Sequence, residues 1–158
     1  MTILSREQIA ERGLVPAAGP AARQPNGIDL TLASAAPFTT AGAIGVDYVA
    51  LPEPGPEVHG DTLILTPGAW LVTYGEEVRL PLDVVGFVYP RSSLLRMGAT
   101  IAGAVWDAGF RGVGQSLLLV ANPGGLLIER GARIAQLTFL KLDEPVAPGA
   151  GYSGRYQS

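Results

Sequence analysis

The chain has 158 residues, 47% of them hydrophobic and 16% charged, with a formal net charge of −3, no cysteine and a single histidine, His59. That length suits one domain with a real core and is short for two, and the inventory rules out disulfide frameworks, thiol nucleophiles and the His/Cys zinc site of zinc-dependent base deaminases. The charge argues against a broad footprint on polymeric nucleic acid, although a few placed arginines can hold a single nucleotide.

Charged residues fall below the roughly 25% of an average soluble protein, so burial against copies of itself is expected. No apolar run approaches the roughly 20 residues of a membrane span, and the N-terminus has no basic-then-apolar signal region. A cytoplasmic protein that touches no membrane is expected.

In chain order, Ser5 and Gln8 stand at capping-box spacing, Leu4 and Ile9 can staple across the cap, and Gly13 can end the segment. The spacing predicts a short helix over 6–12, the longest in the chain. Beyond it, 21 glycines and 13 prolines bound short apolar stretches, which read as strands at 28–32, 62–65, 69–74, 84–89, 116–121, 126–128 and 135–141. The pattern predicts an all-β barrel or sandwich. Residues 17–24 and 51–60 read as surface connections. Residues 1–144 read as one β domain and 145–158 as a flexible C-terminal arm, useful only where it finds a place to dock.

Four segments can carry chemistry. In Tyr89-Pro90-Arg91-Ser92-Ser93-Leu94-Leu95-Arg96-Met97-Gly98 a strand enters a single helical turn, whose first N–H groups with Ser92, Ser93, Arg91 and Arg96 would form a phosphate cradle; the plainer reading is a serine N-cap with surface arginines. In Ala104-Val105-Trp106-Asp107-Ala108-Gly109-Phe110-Arg111-Gly112, a partly desolvated Asp107 can serve as general base and Phe110 can face a base or sugar. An Asx-type turn with Phe110 in the core is the alternative. Gln136, an amide in an apolar strand, either satisfies backbone or reaches a ligand. The tail spaces Tyr152, Arg155 and Gln157 on an arm that could close over a polyphosphate, or that simply stays disordered.

In order and spacing these segments resemble the motifs of the dUTPase / dCTP-deaminase superfamily. Asn26-Gly27-Ile28-Asp29-Leu30 resembles the first motif, Arg91-Ser92-Ser93-Leu94 the second, Asp107 to Gly112 the third, and Gly131-Ala132-Arg133-Ile134-Ala135-Gln136-Leu137 the fourth, with the tail a weaker fifth. The initial helix, Leu94-Leu95-Arg96 and the tail resemble the dCTP-deaminase branch, and the opening Gln24-Pro25-Asn26-Gly27-Ile28-Asp29-Leu30 is similar to archaeal-type dUTPases. The resemblance implies a distorted jelly-roll-like β-barrel (a β-clip), a homotrimer with three active sites at subunit interfaces, and dependence on Mg²⁺. It assigns Arg91, Ser92, Ser93, Arg96 and Gln136 to the triphosphate, Asp107 to the deoxyribose and the attacking water, and Arg155 with Gln157 to the γ-phosphate, with Tyr152 also carried over. Mg²⁺ would sit on substrate phosphates with no direct protein ligand. Asp29 would support its water shell through water or, the preferred role, fix a turn.

The same resemblance separates two chemistries. Deamination of dCTP uses a glutamate as proton shuttle in the strand after the third motif. Here that strand reads Gln115-Ser116-Leu117-Leu118-Leu119-Val120-Ala121-Asn122, with two extra residues near Gly114, and aligning from either end puts a leucine, Leu117 or Leu119, at the glutamate position. A leucine cannot shuttle protons, and losing a general acid/base costs on the order of 10²–10⁴ in rate. Pyrophosphate release from dUTP needs a base for an in-line water and cations for the leaving group, which Asp107, Mg²⁺, Arg91, Arg96 and Arg155 would supply. A dUTP diphosphatase is the expectation. The alternatives are a dCTP deaminase, mono- or bifunctional; a nucleotide-binding regulatory protein; and a jelly-roll protein with no ligand.

Overall fold

The capping box forms as its spacing requires. In the computed structural model, which describes residues 1–154, helix α1 runs Arg6–Glu11. The Ser5 hydroxyl accepts from the Gln8 amide at 3.4 Å, and the Gln8 side chain accepts from the Ser5 amide at 2.9 Å. Such a cap stabilises a helix by about 1 kcal/mol. Leu4 and Ile9 are buried on either side of it, and Gly13, at φ +60°, turns the chain out of the helix. Arg12 then donates to both oxygens of Asp83, at 2.9 and 3.1 Å, which fastens the helix end to the sheet.

Among the described residues, thirteen strands follow from the breaker-bounded apolar stretches. They are β1 (Thr2–Ile3), β2 (Arg23–Gln24), β3 (Gly27–Pro37), β4 (Ala43–Ile44), β5 (Val49–Ala50), β6 (Thr62–Leu65), β7 (Gly68–Arg79), β8 (Val84–Pro90), β9 (Ala99–Ala102), β10 (Val105–Trp106), β11 (Arg111–Val120), β12 (Leu126–Glu129) and β13 (Arg133–Lys141). A second helix, α2 (Ser92–Arg96), lies between β8 and β9. The main sheet has the order β10-β8-β13-β3-β7-β11-β9, with β1 added on β13 and β2 on β3; β12 pairs with β6 and β4 with β5. Its pairings are antiparallel. The sheet curls until β8 lies beside β9, from the other end of the order. This is the jelly-roll-like barrel that the motifs imply.

One strand makes the curl. The first half of β3 pairs with β13 and the second half with β7, with a register shift between Leu32 and Ser34. A bulge of this kind bends a strand and increases its twist. Buried Glu76 supports the bend, accepting from the Thr31 amide at 2.9 Å and from the Thr31 hydroxyl at 2.7 Å. Tyr74, Phe139, Leu30, Leu32, Val72, Leu118 and Leu137 fill the barrel below 2% exposure, and the phenylalanine, leucine and valine side chains each contribute about 1.5–3 kcal/mol of burial.

Several expectations need correction. The 17–24 segment is not a plain connection, since it holds a 3-10 turn at Pro20–Ala22 and the strand β2. Strands β7 and β11 run well beyond 69–74 and 116–121 because glycines inside them continue the ladder rather than break it. At Gly75 an added Cβ would come 2.7 Å from the Thr31 hydroxyl, so the missing side chain is what lets the strands close up. The 51–60 connection carries no strand and is held by Arg130, which donates to the carbonyls of Gly60 (2.8 Å), Val58 (2.6 Å) and Ala33. Among the described residues no helix is long and apolar enough to cross a membrane.

Candidate active site

The turn after β10 is set by Gly109. Phe110 donates its amide to the Asp107 carbonyl at 3.1 Å, and Gly109 takes φ +88° at the position where a side chain would be strained. The turn thus closes through backbone, not through an Asx-type side-chain bond. Phe110 is 6% exposed, edge-on to Trp106 (centroids 5.1 Å apart) and to Tyr152 (5.4 Å). Asp107 itself is exposed, which corrects the expectation of a partly desolvated carboxylate: in the single chain no neighbouring element covers this turn residue.

Asp107, Phe110 and Tyr152 line one cleft of about 320 Å³, together with Leu71, Val105, Trp106 and the stretch 113–117. Its floor follows from the strand ladder. In β11 the even-numbered residues from Gly112 to Val120 are buried, so the odd ones face outward. The β7–β11 register shifts between Val113 and Gln115. There Gly114 receives the Trp106 ring: a Cβ on Gly114 would lie 2.9 Å from Cζ3 and nearer still to Cζ2 and Cη2. Leu117 lines the cleft and Leu119 does not. Beneath it, the Tyr74 and Ser116 hydroxyls are buried, neither with a hydrogen-bond partner among the described residues. Burial pushes the Tyr74 phenol up to about 12, and nearby Ser116 tempers the rise.

The described part of the arm reaches this cleft. Val146 donates to the Leu82 carbonyl and Tyr152 to the Ala108 carbonyl, each at 2.8 Å. A Cβ on Gly109 would approach the Tyr152 amide to 3.1 Å, so this glycine serves both the turn and the seat of the arm. Arg155 and Gln157 lie outside the described residues.

The second constellation forms at the end of β8. Here Arg91, not a serine, is the N-cap of α2, in extended conformation and without a side-chain cap bond. Ser92 and Ser93 occupy the first turn and are exposed, as is Arg96. The N–H groups of such a turn have no intrahelical acceptor and point outward. Asp29, 1% exposed, is not in a turn but in β3, where it forms ion pairs with Arg91 and with Arg133 (3.4 Å) and accepts from Gln24 at 2.8 Å. Burial, and then the Arg133 charge, pull the Arg91 guanidinium below its ordinary value. Gln136 stands opposite Asp29 and Tyr89 in the ladder, half-buried, its side chain without a hydrogen bond among the described residues.

The structure therefore gathers Asp107, Phe110 and Tyr152 in one place and Arg91, Ser92, Ser93 and Gln136 in another; the second set does not line the cleft. Sequence reasoning missed Trp106 and Gly114 as cleft-shaping residues and Arg133 as the second guanidinium on Asp29. The aromatic before Asp107 and the glycine inside an apolar strand were the available signals for the first two.

Residues 3–142 match a family model described as dCTP deaminase-like. A protein of Aeropyrum pernix named "Probable deoxyuridine 5'-triphosphate nucleotidohydrolase" is 40% identical over 156 residues, covering 98% of this chain and 96% of its own. One of Methanosarcina mazei with the same name is 41% identical over 139 residues, covering 85% and 80%. Among solved structures, a 2'-deoxycytidine 5'-triphosphate deaminase from Agrobacterium tumefaciens superposes with a TM-score of 0.64 at 20% identity, over 87% of this chain and 47% of that one. A mutant dUTPase of Staphylococcus bacteriophage 80alpha with dUpNHpp gives 0.52 at 18% identity, over 84% and 92%. At those identities the two structures speak to the fold alone.

Proposed function

The chain belongs to the dCTP deaminase-like family, and we propose that it is a dUTP diphosphatase, hydrolysing dUTP to dUMP and pyrophosphate. The observation that carries this reading is the cleft: a carboxylate, Asp107, lines it, and so does Leu117, one of the two leucines that the family resemblance puts where a deaminase needs an acid. The archaeal relatives named as deoxyuridine triphosphate nucleotidohydrolases support it.

In this reading Asp107 orients a water and takes its proton as the water attacks the α-phosphorus. Phe110 and Tyr152 border the nucleoside. Arg91, Ser92, Ser93, Arg96 and Gln136 bind the triphosphate: guanidinium forks and outward N–H groups match phosphate oxygens in geometry and charge. The cradle residues do not line the cleft of the single chain, and a homotrimer with sites between subunits would bring cradle and cleft together. The exposed apolar pair Ile64 (68%) and Leu127 (66%), opposite each other in the β6–β12 ladder, fits burial against another copy. Arg155 and Gln157, beyond the described residues, would cover the γ-phosphate as the arm closes.

Mg²⁺ fits this site as a companion of the substrate. Among the described residues no three histidine or carboxylate side chains come together to hold a metal, and Mg²⁺ characteristically keeps its waters and binds substrate phosphates. Bound there it would neutralise phosphate charge. Asp29 is engaged by two arginines and a glutamine, which leaves the metal's water shell to other groups.

Incubation of the purified protein with dUTP and with dCTP in Mg²⁺, with product identification, tests the proposal. dUMP and pyrophosphate from dUTP, with dCTP unchanged, are expected. Ammonia from dCTP would establish the deaminase instead, and tight dUTP binding without product would indicate a regulatory binder.

A further inference from the structure

Asp29 is a buried carboxylate, and a desolvated charge persists only when it is paired and hydrogen-bonded. Three chain segments supply its partners. Gln24, beside it on β2, donates at 2.8 Å; Arg91, from the β8–α2 junction, forms an ion pair with it; Arg133, at the start of β13, reaches it at 3.4 Å. The ladder enforces this convergence. Gln136 stands opposite Asp29 and Arg133 opposite Thr31, while the Arg91 amide donates to the Ile134 carbonyl at 3.1 Å.

The charges do not balance. Two guanidiniums share one carboxylate, which leaves an excess positive charge, and the two side chains remain 29% and 41% exposed on their outer faces. Burial first, and the Arg133 charge second, pull the Arg91 guanidinium below its ordinary value. Arg133 makes all its hydrogen bonds through Nη1, to Asp29 and to the Ala21 carbonyl, so Nε and Nη2 have no partner among the described residues. An anion placed against the pair would offset the excess charge and meet these donors, and the uncapped α2 turn with Ser92 and Ser93 adjoins Arg91.

We infer that Arg133 is a second triphosphate-binding guanidinium, and that Asp29 is the positioning residue that aims Arg91 and Arg133 together at the polyphosphate. The inference rests on reading the Arg91–Ser93 turn as the phosphate cradle. The ligand chemistry is that of linked phosphates, not of base or sugar. Charge and fork geometry both enter, so lysine at this position would restore binding in part.

The experiment compares three probes on the full-length enzyme: KM for dUTP, inhibition by inorganic tripolyphosphate, and inhibition by dUMP, which lacks the outer phosphates. Arg133→Gln is expected to weaken dUTP and tripolyphosphate by about tenfold, the loss of one charge-assisted hydrogen-bonding group, while dUMP inhibition holds. Arg133→Lys should recover part of the loss. Equal weakening of dUMP and tripolyphosphate would make Arg133 a purely structural residue, and unchanged tripolyphosphate inhibition would also overturn the inference. Arg91→Gln, run in parallel, separates the two levels. If both variants keep tripolyphosphate inhibition, the cradle reading itself falls; if only Arg133→Gln keeps it, the cradle stands and the inference falls. For Asp29, the Asp29→Asn and Arg133→Gln effects on tripolyphosphate should be less than additive, and additivity would show that Asp29 positions nothing for Arg133. Should Asp29→Asn fail to fold, Asp29→Glu, which keeps the charge but moves the carboxylate, takes its place in the same cycle.

Discussion

Gly114 offers a direct test of how the cleft is shaped. Its backbone is in an extended strand, so alanine meets no conformational strain there, and the whole effect of Gly114→Ala comes from the Trp106 ring. The added carbon would lie 2.9 Å from Cζ3 and closer to Cζ2 and Cη2, against 3.4 Å for ordinary contact. Trp106 is buried, with Phe110 edge-on at 5.1 Å and Tyr74 tilted at 6.2 Å, so it has little room to retreat. Overpacking of this kind costs about 1–3 kcal/mol. Because Trp106 precedes Asp107 in the chain, a ring shift on the order of 1 Å displaces the proposed base, and such a misplacement costs about 10²-fold in rate. Denaturant melts and kcat/KM for dUTP measure the two effects. Trp106→Phe removes the clashing atoms, so the double variant Gly114→Ala/Trp106→Phe should be more stable and more active than Gly114→Ala alone. A Gly114→Ala enzyme with parental stability and kcat/KM would refute the packing account.

Removing residues 152–158 deletes the Tyr152 contacts with Phe110 and Ala108. A folded assembly by size-exclusion chromatography with strongly reduced kcat/KM is expected, and unchanged turnover would make the arm a bystander. Tyr74→Phe tests the buried hydroxyls. The Tyr74 phenol is raised to about 12 in the folded protein, so folding loses stability as pH rises from the ordinary value of about 10 toward 12, by about 1.36 kcal/mol for each pH unit crossed. The phenylalanine variant should keep its stability near neutrality and show a shallower alkaline decline; an identical decline would exclude Tyr74 as its source. Glu77 works in the opposite sense. Arg79 and Arg111 hold its carboxylate down to about 2, so its contribution is present above about 4.5 and fades as pH falls toward 2. Glu77→Gln should flatten the acid limb of a stability-against-pH curve, and an unaltered limb would show that the ion pair is fully screened.

What could be read from the sequence followed from local chemistry. The capping box of α1, the glycine turn after Asp107 and the Arg91-Ser92-Ser93 turn each declare themselves within a few residues, and the breaker spacing declares an all-β fold. What depends on register was hidden. Strand β9 is four residues long with an alanine at each end, too short an apolar stretch to declare itself, and it is fixed by the pairing of Ala99–Ala102 with β11. Gly112 and Gly114 look like breakers, yet one continuous strand runs through both, and the second serves as the floor under Trp106. Asp29 resembles a turn residue beside Gly27, and only the β3–β13 ladder brings Arg91 and Arg133 to it. The exposure of Asp107 was equally beyond local reading, because it depends on which distant elements pack over the turn, and in the single chain none does.

Replacement of Asp107 by asparagine, with dUTP binding and turnover measured on the same preparation, tests the central claim most directly. The amide keeps the size and hydrogen-bonding reach of the side chain but cannot accept the proton of the attacking water. Binding within a few-fold of the parent and kcat lower by about 10²–10⁴ or more are expected. Parental turnover in Asp107→Asn would remove this carboxylate from the reaction and contradict the account.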